Sequence, residues 1–274
     1  MKRILVPTDF SEHAEHALKI AAQIAKKNDS EIIILHMLEF PHQTNDAIFG
    51  GVSIPETMLF MQKANETLDA ISQSDFLDGI QVTEVVKMDK PIHGITQVSQ
   101  DYNIDLIIMG SHGSSGLEEL LIGSNTEKVV RNSEIPVLVI KKDISDFNVQ
   151  NIVFASDFTE ETKKPFEKLL TVTKSFDAKL HLVTICTPNS FKPTHVIEKA
   201  IKDFTNHFNL TNYDTHIYND TNIEKGIINF SNSINADIIG MCTHGRTGFA
   251  HFFNGSISEG LVNHAVKPVI TLKI

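Results

Sequence analysis

The 274-residue chain is poor in cysteine, in positive charge and in long apolar runs. Its two cysteines, Cys186 and Cys242, cannot build a disulfide framework in a chain of this length. A reducing compartment, the cytoplasm, is the expected location. Lysine and arginine number 24 against 34 acidic residues, a formal net charge of -10. That balance argues against non-specific nucleic-acid binding or an anionic membrane surface, both of which need a positive face. No apolar run approaches the ~18 residues of a bilayer span, so none is expected. The run Ile4 to Val6 is far too short for a signal segment, and Pro7 and Asp9 follow at once.

What the chain does have is an internal repeat, which should be sought first because missing it miscalls the fold. RILVPTDFSEHAEHAL, from Arg3, matches NIVFASDFTEETKKPF, from Asn151, at an offset of 148. NIDLIIMGSHGSSG, from Asn103, matches NADIIGMCTHGRTG, from Asn235, at an offset of 132. The first half therefore carries about sixteen extra residues between its matched blocks, and Glu39 to Glu56 is the best candidate, being rich in turn formers without a clear period. At roughly 100–200 residues per domain, two domains are expected, 1–143 and 144–274.

Each half alternates strands and helices. In the first, Arg3–Val6, Glu31–Met37, Gln81–Lys87, Asp105–Met109 and Val137–Ile140 read as strands. Glu12–Lys26, Pro55–Ser72, Pro91–Tyr102 and Ser124–Asn132 read as helices. This α/β pattern predicts two tandem, doubly wound, five-stranded parallel sheets of Rossmann-like type. Asp143–Gln150 reads as a short polar linker, which favours close contact between the halves as an intrachain pseudo-dimer; a homodimer is also compatible.

In such sheets ligands bind beyond the carboxyl ends of the strands, where strand order reverses. Pro7-Thr8-Asp9, Met37 and the glycine loop after the fourth strand all arrive there. The loop has the spacing Gly110-x2-Gly113-x9-Gly123-Ser124. Ser124 stands where an N-cap belongs, and the first-turn N–H groups beyond it can hold a phosphate. Gly110 and Gly113 allow close backbone approach or positive φ. Asp9 suits ribose hydroxyls, although on its own it also reads as the N-cap of the first helix. The loop on its own also reads as a plain turn and cap; the recurrence of its spacing in the second half favours a binding role. No Lys or Arg stands between Gly110 and Asn125, which is poor provision for phosphoryl transfer. Glu118 and Glu119 would repel phosphate unless they face solvent or hold Mg²⁺.

At these residues the sequence resembles the universal stress protein family, in tandem over nearly the whole chain. The shared pattern is the glycine spacing above, the strand-one Asp9, and the closing strand Pro136-Val137-Leu138-Val139. The resemblance implies an ATP or AMP site, with Mg²⁺ as an optional companion. Asp9, beside Pro7 and Thr8, would meet the ribose and the Met37 backbone the adenine. Gly110, His112, Gly113, Gly123, Ser124, Asn125 and Thr126 would line the ribose-phosphate chain, and Met109 belongs to the same site. It also implies pairing of Val137–Ile140 with Val269–Leu272.

In the second half the matching positions are Asp157, Ile185, His244, Gly245, Arg246, Gly255 and Ser256, and Arg246 adds a cation. Cys242 replaces Gly110 there, and its side chain would either crowd the ribose or enter the core. His112 and His244 read as loop-bracing residues, and no metal-ligand spacing surrounds them. His36, at a strand end, reads as structural. The expected function is a nucleotide-binding regulatory or sensor module acting on an unknown protein partner, without fast chemistry. A slow ATPase or self-phosphorylating enzyme, with Ser124 or a neighbouring hydroxyl as acceptor, is the first alternative. A partner-binding module with degenerate pockets is the second.

Overall fold

The computed structural model describes residues 1–39, 54–111, 122–243 and 255–274, and not the side chains of residue 54 and of residues 255–259. Most of the expected insertion, residues 40–53, lies outside the described residues.

The first half runs β1 (Arg3–Thr8), α1 (Glu12–Asn28), β2 (Glu31–Leu38), α2 (Ile54–Ser72), β3 (Val82–Met88), α3 (Pro91–Asp101), β4 (Leu106–Gly110), α4 (Ser124–Asn132) and β5 (Val137–Ile140). The second runs β6 (Asn151–Ala155), α5 (Lys163–Lys174), β7 (Lys179–Cys186), α6 (Thr194–Phe208), β8 (Tyr213–Asn219), α7 (Ile223–Ser233), β9 (Ile238–Thr243), α8 (Gly255–His264) and β10 (Val269–Lys273). The ten strands form one sheet in the order β3-β2-β1-β4-β5-β10-β9-β6-β7-β8. Each half is parallel with a reversal of strand order beside β1 or β6. The halves meet where β5 and β10 pair antiparallel, with Leu138 opposite Ile270, as the resemblance implied. Successive strand residues alternate between two cores. Ile4, Val6, Ile32 and Ile34 face α1 and α2, while Leu5, Ile33 and Leu35 face α3 and α4.

The repeat extends to backbone conformation. Phe10 and Phe158, Asp29 and Asp177, and Asn103 and Asn235 are matched pairs, and all six have φ between 50° and 64°. Asp105 Oδ2 accepts the Arg3 amide at 3.0 Å, and Asp237 Oδ2 accepts the Asn151 amide at 2.9 Å. A carboxylate from the fourth-strand turn thus holds the entry to strand one in both halves.

Three local expectations are corrected. The N-cap of α1 is Ser11, whose Oγ accepts from Ala14 N at 3.3 Å; Asp9 braces Ser11 from behind through Oδ1, 2.6 Å from Ser11 Oγ. The N-cap of α4 is Gly123, so Ser124 is the first helical residue. The linker is not simply polar: Phe147 and Val149 are buried, and Phe147 N donates to Gln23 Oε1 at 2.7 Å on α1.

Gly110 has a reason in the packing that was not expected, and it does not take the positive φ that was. It lies in β4 with no positive φ, and a Cβ there would stand 2.5 Å from the His13 carbonyl oxygen. The first turn of α1 therefore rests directly on β4 backbone. In the second half, Cys242 is buried, in the same core cluster as Phe154 and Phe158. There Glu160–Thr162 form a 3-10 turn and the α-helix starts only at Lys163. Burial first, then the carboxylates of Asp157 and Glu161, push the Cys242 thiol far up, as expected of an inert core thiol.

Two predictions follow from this packing. Gly110→Ala should destabilise the chain by about 1–3 kcal/mol, the usual cost of overpacking; urea denaturation with an unchanged midpoint would contradict the backbone contact. At the seam, Lys141 reaches across to the Asn263 carbonyl, and burial lowers its pKa from 10.5 to about 8. Between those values the unfolded chain binds the extra proton, so this group makes stability rise with pH over that window. The stability of the native chain relative to Lys141→Met should increase from pH 8 to 10.5, and a constant difference would contradict it.

Candidate functional site

A cleft of about 260 Å³ opens between the carboxyl ends of β1 and β4. It collects Pro7, Thr8, Asp9, Met37, Met109, Gly110, Gly123, Ser124, Asn125 and Thr126. His112 and Gly113 lie outside the described residues. Leu35, Pro91 and Ile95 form an apolar wall that the motif reading missed.

The turn after β1 is strained. Phe10 has φ 64°, a conformation that bulky residues avoid at a cost of roughly 1–3 kcal/mol. Local bonds hold it there. Its amide donates to Thr8 Oγ1 at 3.0 Å, and the Ser11 amide donates to Asp9 Oδ1 at 3.1 Å. Its ring stacks on His36 with centroids 4.2 Å apart, and His36 Nδ1 donates to the Thr8 carbonyl at 2.9 Å. His36 is thus structural: it ties the ends of β1 and β2 together beneath Phe10.

On the second wall, β1 ends at Thr8 opposite His36, whereas β2 continues to Leu38 against β3. The Met37–Leu38 edge is therefore without a strand partner on the β1 side. The Met37 side chain turns away onto Gly94 of α3, where a Cβ would stand 2.6 Å from Met37 Sδ. Gly94 aligns with Gly226, which makes the same room for Ile185. That spacing was visible in the repeat, but its purpose was not.

The third wall is the start of α4. Gly123 N donates to the Ser111 carbonyl at 2.7 Å, and Thr126 Oγ1 donates to the Gly110 carbonyl at 2.9 Å. These bonds clamp the helix start to the end of β4. Among the described residues, no side chain caps the start of α4. Helical geometry leaves the Ser124, Asn125 and Thr126 N–H groups without intrahelical acceptors, at the positive end of the dipole. The described lining carries the carboxylates of Asp9 and Glu39 and no Lys or Arg.

The matching cleft in the second half is far smaller, about 30 Å³, bounded by Ala155, Ser156, Asp157, Thr184, Ile185, Ile223 and Ile227. That is the space of a water or two. Ile185 presents Cγ2 and Cδ1 toward Gly226, and Thr162 is buried where the first half has Ala14. His244, Gly245 and Arg246 lie outside the described residues; Gly255 opens α8, and nothing is described of the Ser256 side chain.

A second cluster went unnoticed in the sequence. His181, Asp214 and His216 place their ligand atoms within 4.8 Å of one another on β7 and β8. Their spacing matches no short motif, because the strands that bring them together are joined by a helix. Among the described residues, no helix is long and apolar enough to cross a membrane.

Comparison with known proteins bears on the whole chain. The model of the universal stress protein family matches residues 1–141 and 214–273. A universal stress protein of Methanocaldococcus jannaschii is 34% identical over 154 residues, which cover 52% of this chain and 95% of that protein. One from Bacillus subtilis is 28% identical over 145 residues, 51% of this chain and 98% of that protein. The crystal structure of a universal stress protein from Archaeoglobus fulgidus has a TM-score of 0.75 at 23% identity, over 99% of this chain and 98% of that one. The first two are alike to about one half of this chain, and the third shares the fold throughout. Matched over most of its length, the chain belongs to the universal stress protein family.

Proposed function

We propose that this chain, a stress-response protein by family, binds one adenine nucleotide, ATP or AMP, in the cleft between β1 and β4, and that it acts as a regulatory or sensor module. The observation that carries this reading is the cleft itself, a space of about 260 Å³ with the start of α4 at one end and an apolar wall at the other. That volume is close to the lower bound of roughly 300 Å³ for small-ligand sites.

Each part of a nucleotide finds matching chemistry. The base lies against Leu35, Ile95 and Met109, with its polar edge toward the unpartnered Met37–Leu38 backbone. The Asp9 carboxylate accepts several hydrogen bonds at once, so it can take ribose hydroxyls while Oδ1 holds Ser11. Phosphates meet the N–H groups of Ser124 to Thr126. Mg²⁺ can arrive with ATP on its phosphates. Without a described cation on the lining, the cleft is suited to holding phosphates and not to stabilising their transfer.

Titration calorimetry with ATP, AMP, ADP and GTP tests the site. Adenine nucleotides should bind at one per chain, and Asp9→Ala should weaken them by about 10–100-fold, the loss of a charged hydrogen bond. Failure of every adenine nucleotide to bind at millimolar concentration would sink the proposal. Native mass spectrometry should retain one nucleotide mass per chain. Two per chain would mean that the second cleft, about 30 Å³ and lined by Ile185, Ile223 and Ile227, opens for ligand.

A further inference from the structure

The cluster on β7 and β8 brings three donor atoms within 4.8 Å of one another. In the parallel register His181 stands opposite Asp214, and Val183 stands opposite His216. Both histidines lie on the α7 side of the sheet, where the His216 ring packs on Phe230 with centroids 4.8 Å apart. His181 is 7% exposed, so the bonding of its ring nitrogens is decided by protein partners. Its Nε2 lies 3.0 Å from Asn151 Oδ1, an acceptor, and must donate there. In the neutral ring that leaves Nδ1 with a bare lone pair.

That lone pair faces His216 Nε2 at 3.2 Å and Asp214 Oδ2 at 3.9 Å. In one tautomer His216 Nε2 donates to that lone pair, and a cation can take the place of this proton, with the carboxylate oxygen as a third donor. At metal–ligand distances of about 2.05 Å, the 3.2 Å gap between the histidine nitrogens subtends about 103°, close to a tetrahedral angle, while the 3.9 Å gap to Asp214 Oδ2 subtends about 144°, so the half-exposed carboxylate must swing inward to complete the site. The Lys179 ammonium pairs with Asp214 Oδ2 at 2.7 Å, so a cation must displace it from that oxygen or use the other carboxylate oxygen. Asn151 supplies the outer hydrogen bond that metal-ligating histidines commonly make.

We propose that His181, Asp214 and His216 form a binding site for one divalent transition cation of the zinc type, with a fourth position open to solvent beside the half-exposed Asp214. Two neutral imidazoles and one carboxylate suit Zn²⁺ and exclude Mg²⁺ and Ca²⁺, which take oxygen ligands. The cation ties edge strand β8 to β7. The site sits toward the amino ends of these strands, away from the cleft at their carboxyl ends, so it stands independently of the nucleotide reading. It is private to the second half: the positions in the same register of the first half are Ile33, Thr83 and Val85, which offer no such set.

The test is calorimetry of the chelator-treated full chain with Zn²⁺ in excess Mg²⁺, together with anomalous diffraction at the zinc edge. One equivalent should bind, with its anomalous peak among the three side chains. His216→Gln and Asp214→Asn should each weaken it at least tenfold, and Asn151→Ala, which acts through His181, by about 10–100-fold. Zn²⁺ should raise the Tm of the native chain and of His264→Gln, a histidine paired elsewhere with Glu224, but not that of Asp214→Asn. Asp214 is half-exposed, so its variant keeps the test valid if His216→Gln fails to fold. An affinity indifferent to both ligand variants, or a zinc peak elsewhere, would overturn the site.

Discussion

The contact between Gly110 and the His13 carbonyl governs the geometry of the first half. Backbone lies on backbone there, and nothing larger than hydrogen fits between. The chain leaving β1 turns into α1 within three residues, Asp9 to Ser11, with Phe10 at positive φ and Asp9 at the mouth of the cleft. The strain is met by bonds the same turn supplies: Thr8 Oγ1 to the Phe10 amide, Asp9 to Ser11, and the stack of Phe10 on His36. The second half meets the same demand differently. With Cys242 in place of glycine, its first helical turn is 3-10 and the α-helix begins later.

The sheet depends on a second constraint. A five-stranded half would leave its last strand as an unpaired edge, a template for unwanted pairing. The antiparallel union of β5 with β10 removes both edges at once. Side chains then fasten the seam unequally. Lys273 pairs with Glu134 at 2.7 Å, while its repeat partner Lys141 reaches the Asn263 carbonyl. Asn263 Oδ1 also accepts from the Ile122 amide at 2.6 Å, just before α4. One residue of the second half thus touches the approach to the cleft of the first, which links the pseudo-dimer contact to the candidate site.

Much of this could be read in the sequence, for physical reasons. Period-two and period-3.6 patterns report burial directly, so the element order and the parallel halves were legible. Two offsets and an alternating pattern were enough to imply ten strands. The site was legible where backbone geometry needs a particular residue at a particular place, as at Asp9 and Gly123. What could not be read depends on neighbours distant in sequence. Gly110 answers to His13, Gly94 to Met37, and Phe147 to Gln23. Phenylalanine has no propensity for positive φ, so nothing at Phe10 announced the turn. The His181 cluster requires the β7–β8 register, which is set by packing and not by any local pattern.

The two halves also separate what the fold needs from what a ligand needs. The second half keeps the strained turn: Phe158 has φ 55°, and Ser156 Oγ accepts its amide at 2.9 Å. It keeps Asp157 as well. Yet its cleft is about 30 Å³, against about 260 Å³ in the first half. The turn is therefore sustained without a ligand-sized space, and its local hydrogen bonds and place at the helix entry are sufficient reason for it. An aspartate after strand one is thus weak support for a binding site by itself. What distinguishes the first half is empty volume beside the start of α4. On the described walls, branched Ile185 lines the second cleft where unbranched Met37 lines the first. A packed parallel sheet does not shift to absorb such a change of side-chain shape, so wall residues of this kind bear directly on the volume beside them.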